Sequence, residues 1–221
     1  MRVMTIVESE VAIGQYRLGA ALAIPQQARG LVIFVHGSGS SRFSPRNRFV
    51  AAALHERGFA TLLLDLLTEA EAQDRRNVFD IPLLAERVVE AIDWAADEPL
   101  LCELPIGLFG ASTGAAAALM AAAERPQNVQ AIVSRGGRPD LAGEALARAH
   151  APTLLIVGSR DSQVLNLNRT AAGRLPDARL DIVPGATHLF EEPGTLEQVV
   201  ALAATWFAEK LTRRDHSERF A

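Results

Sequence analysis

Cysteine is almost missing from this 221-residue chain: Cys102 stands alone. That excludes an intramolecular disulfide and leaves no thiolate cluster for a structural metal. Lysine is as scarce, since Lys210 is the one lysine among 22 basic residues and every other fixed positive charge is a guanidinium. There is no basic excess either. The net charge of -4 gives no electropositive surface of the kind nucleic acid requires. No continuous apolar stretch reaches membrane-spanning length, because charged or polar residues interrupt each one. The start, Met1-Arg2-Val3-Met4-Thr5, enters a strand-like segment without the apolar core of a signal peptide. Repeats and low-complexity segments are lacking as well. These absences give the expectation of a soluble cytoplasmic protein with no nucleic-acid or membrane partner; they are silent on oligomeric state.

What is present suits one sizeable core: 49% of residues are apolar and 22% charged. One domain is expected over residues 1–212, followed by a charged, aperiodic tail at 213–221 that frays. Short apolar, β-branched runs mark strands at 31–36, 60–65, 105–109, 129–134, 153–157 and 180–183. The first four are nearly continuous apolar runs, as strands buried on both faces are. Helical patterns fill the gaps at 45–57, 81–96, 113–125, 141–150, 164–175 and 195–211. Alternation of this kind predicts a parallel sheet with helices on both faces. Two earlier segments, 4–8 and 16–24, add an antiparallel edge and bring the count to about eight strands. Ser44-Pro45 reads as a helix start with Gly58 as its stop, and Thr195 with Gln198 reads as a capping box.

Gly110-Ala111-Ser112-Thr113-Gly114 carries the chemistry. The Gly-x-Ser-x-Gly pattern arises by chance in roughly one protein in fifteen of this length, so its context decides. Here a buried strand precedes it and an alanine-rich helix follows, which places Ser112 on a sharp strand-to-helix turn. A serine hydroxyl needs a base to take its proton. His188 follows the strand at 180–183 through Pro184-Gly185-Ala186-Thr187, and Asp161 follows the strand at 153–157. Both therefore sit at the C-terminal edge of the sheet, where ligands gather in open α/β sheets. Asp161 would fix the imidazole tautomer and stabilise the imidazolium; Asp177 and Asp181, its rivals, flank or lie within the strand before His188. Of the other histidines, His55 and His150 read as surface residues, His216 belongs to the tail, and His36 ends a strand in a structural role. The oxyanion hole needs two backbone N–H groups. Thr113 supplies one, and the loop His36-Gly37-Ser38-Gly39-Ser40-Ser41 the other, from Ser38 or, as the alternative, Gly39.

Over nearly its whole length the chain resembles the α/β-hydrolase superfamily, and within it the dienelactone-hydrolase-like branch. The resemblance rests on His36-Gly37-Ser38-Gly39, Asp65-Leu66-Leu67-Thr68, the Ser112 turn and Gly185-Ala186-Thr187-His188. It implies a Ser112–Asp161–His188 triad, ester hydrolysis through an acyl-enzyme, a small-molecule ester as substrate, and neither cofactor nor metal. Dienelactone hydrolases use a cysteine nucleophile, whereas this chain has serine there, which moves the implied activity toward carboxylic esters in general. Many members of the superfamily carry a cap before the strand bearing the acid. Here only residues 135–151 separate the two strands, so the expected fold has no cap domain and its site is open, suited to small or broadly tolerated esters.

The stretch 67–80 is the longest without pattern and is expected at the rim of the site. Arginines recur in the loops of this edge, at Arg42, Arg46, Arg48, Arg75, Arg76, Arg135 and Arg138. Arg42 and Arg138 are the candidates to bind an anionic substrate; ion pairing with Asp140, Asp74, Glu69 or Glu71 is the plainer alternative. Acyl transfer or amide hydrolysis on the same triad, and a non-catalytic ligand-binding scaffold, stand as alternatives to ester hydrolysis.

Overall fold

The computed structural model describes residues 5–212; the expected tail at 213–221, with His216, lies outside them. Eight strands form one sheet: β1 (Ile6–Ile13), β2 (Leu18–Pro25), β3 (Leu31–Val35), β4 (Ala60–Leu64), β5 (Ile106–Ala111), β6 (Val129–Arg135), β7 (Thr153–Gly158) and β8 (Ala178–Val183). Their spatial order is β1-β2-β4-β3-β5-β6-β7-β8. β2 pairs antiparallel with β1 and β4, and every other neighbouring pair is parallel. The fold is that of an α/β hydrolase, with the antiparallel edge where the sequence put it.

The pleat sends alternate side chains of one strand to opposite faces. Leu31, Ile33 and Val35 of β3 join the core under α4 (Ile81–Asp97) and α5 (Thr113–Glu124). Val32 and Phe34 join a second core with α1 (Pro45–Glu56) and α7 (Thr195–Lys210). Each face of the sheet is thus sealed by its own helices, which is why the central strands are apolar throughout. The small side chains of Ala115 to Ala118, all buried, let α5 lie close beneath β5.

Several local expectations are corrected. The stretch 67–80 is not irregular: it forms two one-turn helices, α2 (Glu69–Ala72) and α3 (Arg75–Val78). Thr68 Oγ1 accepts the Glu71 N–H and Glu71 returns a bond to the Thr68 N–H, a capping box too short to leave an apolar period in the sequence. The box expected at Thr195 does not form. Gly194 is the N-cap there, and Thr195 Oγ1 turns back to donate to the Glu192 carbonyl. The segment expected as a helix at 141–150 is instead a 3₁₀ turn pair, Pro139–Arg148, interrupted where Gly143 takes a φ of 55°. α6 (Ser162–Ala172) starts two residues before its expected position at 164. β1 runs on to Ile13, well past the expected 4–8, because β2 pairs with it along its whole length. Between β6 and β7 there is only the 3₁₀ pair, so no cap domain is inserted there. No helix among the described residues is long and apolar enough to cross a membrane.

Candidate active site

β5 ends at Ala111 and α5 begins at Thr113, leaving Ser112 alone to turn the chain, with φ 51° and ψ -122°. A side chain in that region costs about 1–3 kcal/mol and persists only where the surroundings impose it. They do so by contact. A Cβ at Gly114 would stand 2.3 Å from the Val35 carbonyl oxygen, and one at Gly110 would stand 2.5 Å from the Ala115 Cα. Only glycine lets strand and helix approach so closely on either side of the serine. The turn is tied to its neighbour: the Ser112 N–H donates to the Arg135 carbonyl, and the Arg138 N–H to the Ser112 carbonyl.

Asp161 is the N-cap of α6, a position where a carboxylate ordinarily accepts from its own helix. Here it makes no such bond. Its Oδ2 accepts instead from His188 Nδ1 at 2.7 Å, and His188 Nε2 lies 3.3 Å from Ser112 Oγ. Asp161, His188 and Ser112 are brought into one chain of hydrogen bonds from three separate strand ends. Asp181, in β8, is turned to Arg179, and Asp177 precedes that strand. The loop bearing His188 is held by Phe190, buried at φ 56°, and by the Thr187 N–H donating to Glu192. The hydrogen bonds from Thr187 hold the Glu192 carboxyl below its ordinary range.

The Ser38 N–H donates to Thr113 Oγ1 at 2.9 Å. Thr113 opens α5, so its own N–H has no acceptor within the helix. Gly39, with φ 70°, shapes the bend of this loop.

His36 ends the preceding strand, and its ring joins two pieces of backbone. Nδ1 meets the Gly37 carbonyl at 2.9 Å, while Nε2 lies 3.2 Å from the Leu66 N–H. The ring is therefore neutral, with Nδ1 donating and Nε2 accepting. Burial pushes its pKa below the ordinary 6.5. Protonation would turn the acceptor toward another donor, so the folded state resists a proton that the unfolded chain accepts. The stability His36 contributes is complete above 6.5 and is lost as pH falls from there toward the lowered value. We expect the melting temperature to drop as pH falls below the ordinary 6.5, and His36→Gln, whose amide oxygen can still accept, to flatten that drop. An unchanged slope in thermal unfolding would remove this role. His55, also lowered by burial, leaves a residual slope. It is half-buried against Thr61 Oγ1 rather than on the open surface, which corrects the sequence reading.

The arginines divide sharply. Arg42 is held by Asp65 and Glu10, and Arg138 grips Asp140 through two bonds of 2.9 and 2.7 Å. Both guanidinium groups thus meet carboxylates packed beside them, the pairing that the sequence offered as the plainer alternative to substrate binding. Arg75 lies over Phe79 and Arg76 pairs with Asp74. Arg135 differs. It ends β6 opposite Ala111, is buried, and lines a cavity of about 250 Å³ together with Ser112 and His188. Burial, and then the nearby positive Arg46, draw its pKa down to about 10. Sequence reasoning left it among seven arginines, although one signal was there: a charge ending a mostly apolar strand.

A second opening of about 430 Å³ adjoins the first along the loop 37–43; Leu66, Leu67, Ala72, Val78 and Leu84 give it an apolar wall. The stretch 67–80 thus contributes to the wall beside the candidate site. Among the described residues no group of three or more His, Cys, Asp or Glu is placed to hold a metal ion.

Beside this geometry, the sequence profile described as Alpha/beta hydrolase domain matches residues 28–207. The chain belongs to the α/β-hydrolase family. Among solved α/β hydrolases, the dienelactone hydrolase of Anabaena variabilis is 52% identical, with a TM-score of 0.90 over 94% of this chain and 99% of that one. Est1E of Butyrivibrio proteoclasticus shares the fold at 17% identity and a TM-score of 0.77, covering 91% of this chain and 98% of its own. Est1E has also been solved with ferulic acid bound. Two Mycobacterium tuberculosis proteins, each provisionally named a phosphoribosyl transferase, are 57% identical over 205 residues. That match takes in 92% of this chain and 46% of theirs, so the chain spans about half the length of the curated relatives it matches.

Proposed function

We propose that this α/β hydrolase is a serine esterase that cleaves small carboxylic esters through an acyl-enzyme. The observation that carries the reading is the unbroken chain from Asp161 Oδ2 through the His188 ring to Ser112 Oγ, with the serine on a strained turn. Ser112 attacks the ester carbonyl while His188 Nε2 takes its proton. Asp161 holds the ring by Nδ1 and offsets the positive charge it acquires. The Thr113 N–H faces the tetrahedral oxyanion. Ser38 joins it by sharing the N–H now given to Thr113 Oγ1. That bond keeps the loop next to the nucleophile before substrate arrives, so little rearrangement is needed when charge develops. His188 then protonates the departing alcohol, and later activates the water that releases the acid.

The uncapped sheet edge and the cavity of about 250 Å³ at Ser112 favour short esters, and the adjoining apolar wall can receive a modest hydrocarbon group. The phosphoribosyl transferase name belongs to proteins about twice as long, and it forms no part of this proposal. The test is covalent: a fluorophosphonate probe should form a single adduct, located on Ser112 by peptide mass mapping. A folded protein that stays unlabelled, or is labelled elsewhere, would falsify the reading and favour a ligand-binding scaffold.

A further inference from the structure

Among the described residues two arginines, Arg87 and Arg135, are buried, and they are treated in opposite ways. Arg87, with 3% of its side chain exposed, has its charge met twice, by Glu71 at 3.0 Å and Glu90 at 3.3 Å, and its guanidinium lies over the Tyr16 ring. Arg135 is 7% exposed, and among the described residues no carboxylate pairs with it. Its one side-chain hydrogen bond is a long one of 3.5 Å from Nη2 to Asn47 Oδ1, and its Nε has no acceptor. An uncompensated buried cation costs several kcal/mol, and guanidinium carries five donors that seek acceptors.

The surroundings deepen the imbalance. Arg46 lines the same cavity, and among the described residues its ion pair is with Glu191, whose side chain is 64% exposed. The side chains of Ser38, Ser40, Ser44 and Asn47 in the cavity wall carry no charge. Among the described residues no Asp or Glu lines it. A pocket that holds two guanidinium groups and no carboxylate, and that opens on the nucleophile, lacks a negative charge. Position limits where that charge would be. Arg135 is one strand over from Ala111, and its carbonyl accepts the Ser112 N–H at 3.3 Å. The cavity is small, so an anion on Arg135 would be only a few bonds from a carbonyl at Ser112 Oγ.

We propose that Arg135, assisted by Arg46, is the anion-recognition site of this cavity, and that the ester cleaved at Ser112 bears a carboxylate or phosphate a few bonds from its scissile carbonyl. The second half of this rests on the esterase reading; the first half does not. A carboxylate can take two parallel N–H bonds from one guanidinium, and a phosphate can do the same. Asn47 keeps the empty guanidinium in place, and its long bond is weak enough to yield to a charged acceptor.

The experiment uses matched esters. On the alcohol side, meta-acetoxybenzoate and meta-acetoxyphenyl phosphate are compared with methyl meta-acetoxybenzoate. On the acyl side, phenyl hydrogen adipate is compared with phenyl methyl adipate. At fixed ionic strength the anionic member of at least one pair should have a kcat/KM about 10- to 100-fold higher, mainly through KM. Whether the carboxylate or the phosphate gains more identifies the natural group. In Arg135→Met that ratio should collapse to about one or below, and Arg135→Lys should restore part of it.

Inorganic phosphate or acetate should also slow fluorophosphonate labelling of wild-type Ser112 and raise the melting temperature of the wild-type protein. These two readouts need no variant, so they stand even where Arg135→Met fails to fold. Neutral esters cleaved at Ser112, with no anion preference in either pair and no protection by phosphate or acetate, would overturn the anion site and leave the esterase reading intact. Melting-temperature gains from anions that vanish in Arg135→Met and persist in part in Arg135→Lys, beside an inert Ser112, would retain the site and remove the esterase.

Discussion

Replacing Ser112 with alanine should lower kcat for a neutral aryl ester by about a millionfold, the loss seen when the nucleophile of such a triad is removed. The protein should stay folded. The Oγ makes one hydrogen bond, at 3.3 Å to His188, and the side chain is half-buried, so stability should change by less than about 1 kcal/mol. The strain at φ 51° remains in the variant, since alanine has the same Cβ as serine. Single-turnover kinetics and thermal unfolding of the same preparation check both halves. Activity within tenfold of wild type would mean that the hydroxyl is not the attacking group, whatever its geometry.

Asp161→Asn should cost about ten-thousandfold in kcat. The replacement is nearly isosteric, so the ring of His188 keeps its place, but the 2.7 Å bond loses its charge. The amide can also present its NH₂ group to Nδ1, which would move the ring proton to Nε2 and leave Ser112 without a base. Stability should hardly respond, because Asp161 makes no capping bond to α6 that could be lost. A rate loss below about tenfold would point to another group holding the imidazole. A large loss of stability would instead make Asp161 a structural residue.

Much of this arrangement could be read in advance, because it is written in short-range physics. A buried strand followed by small residues and an alanine-rich helix can only turn sharply at Ser112, since the glycines on either side are the residues that fit against Val35 and Ala115. The positions of Asp161 and His188 followed from each lying just past a strand of a parallel sheet, whose C-terminal ends share one edge. Where the reading failed locally, the missing signal was length. The one-turn helices α2 and α3 are too short to leave a period, and their start depends on side-chain bonds at Thr68 and Asp74.

The arginines belong to the other class of fact. Seven of them fell near the active-site edge, and nothing along the chain says which are satisfied. Arg42 meets an aspartate 23 residues away, and Arg135 meets an asparagine 88 residues away and no acid. The sequence by itself determined the order of the elements, the serine turn and the edge on which Asp161 and His188 stand, because each depends on backbone geometry over a few residues. Only the tertiary structure decided which charges are paired and which one is left unpaired in the cavity beside Ser112. Pairing is set by side chains that packing brings together from distant elements, and no local pattern encodes which of them will meet.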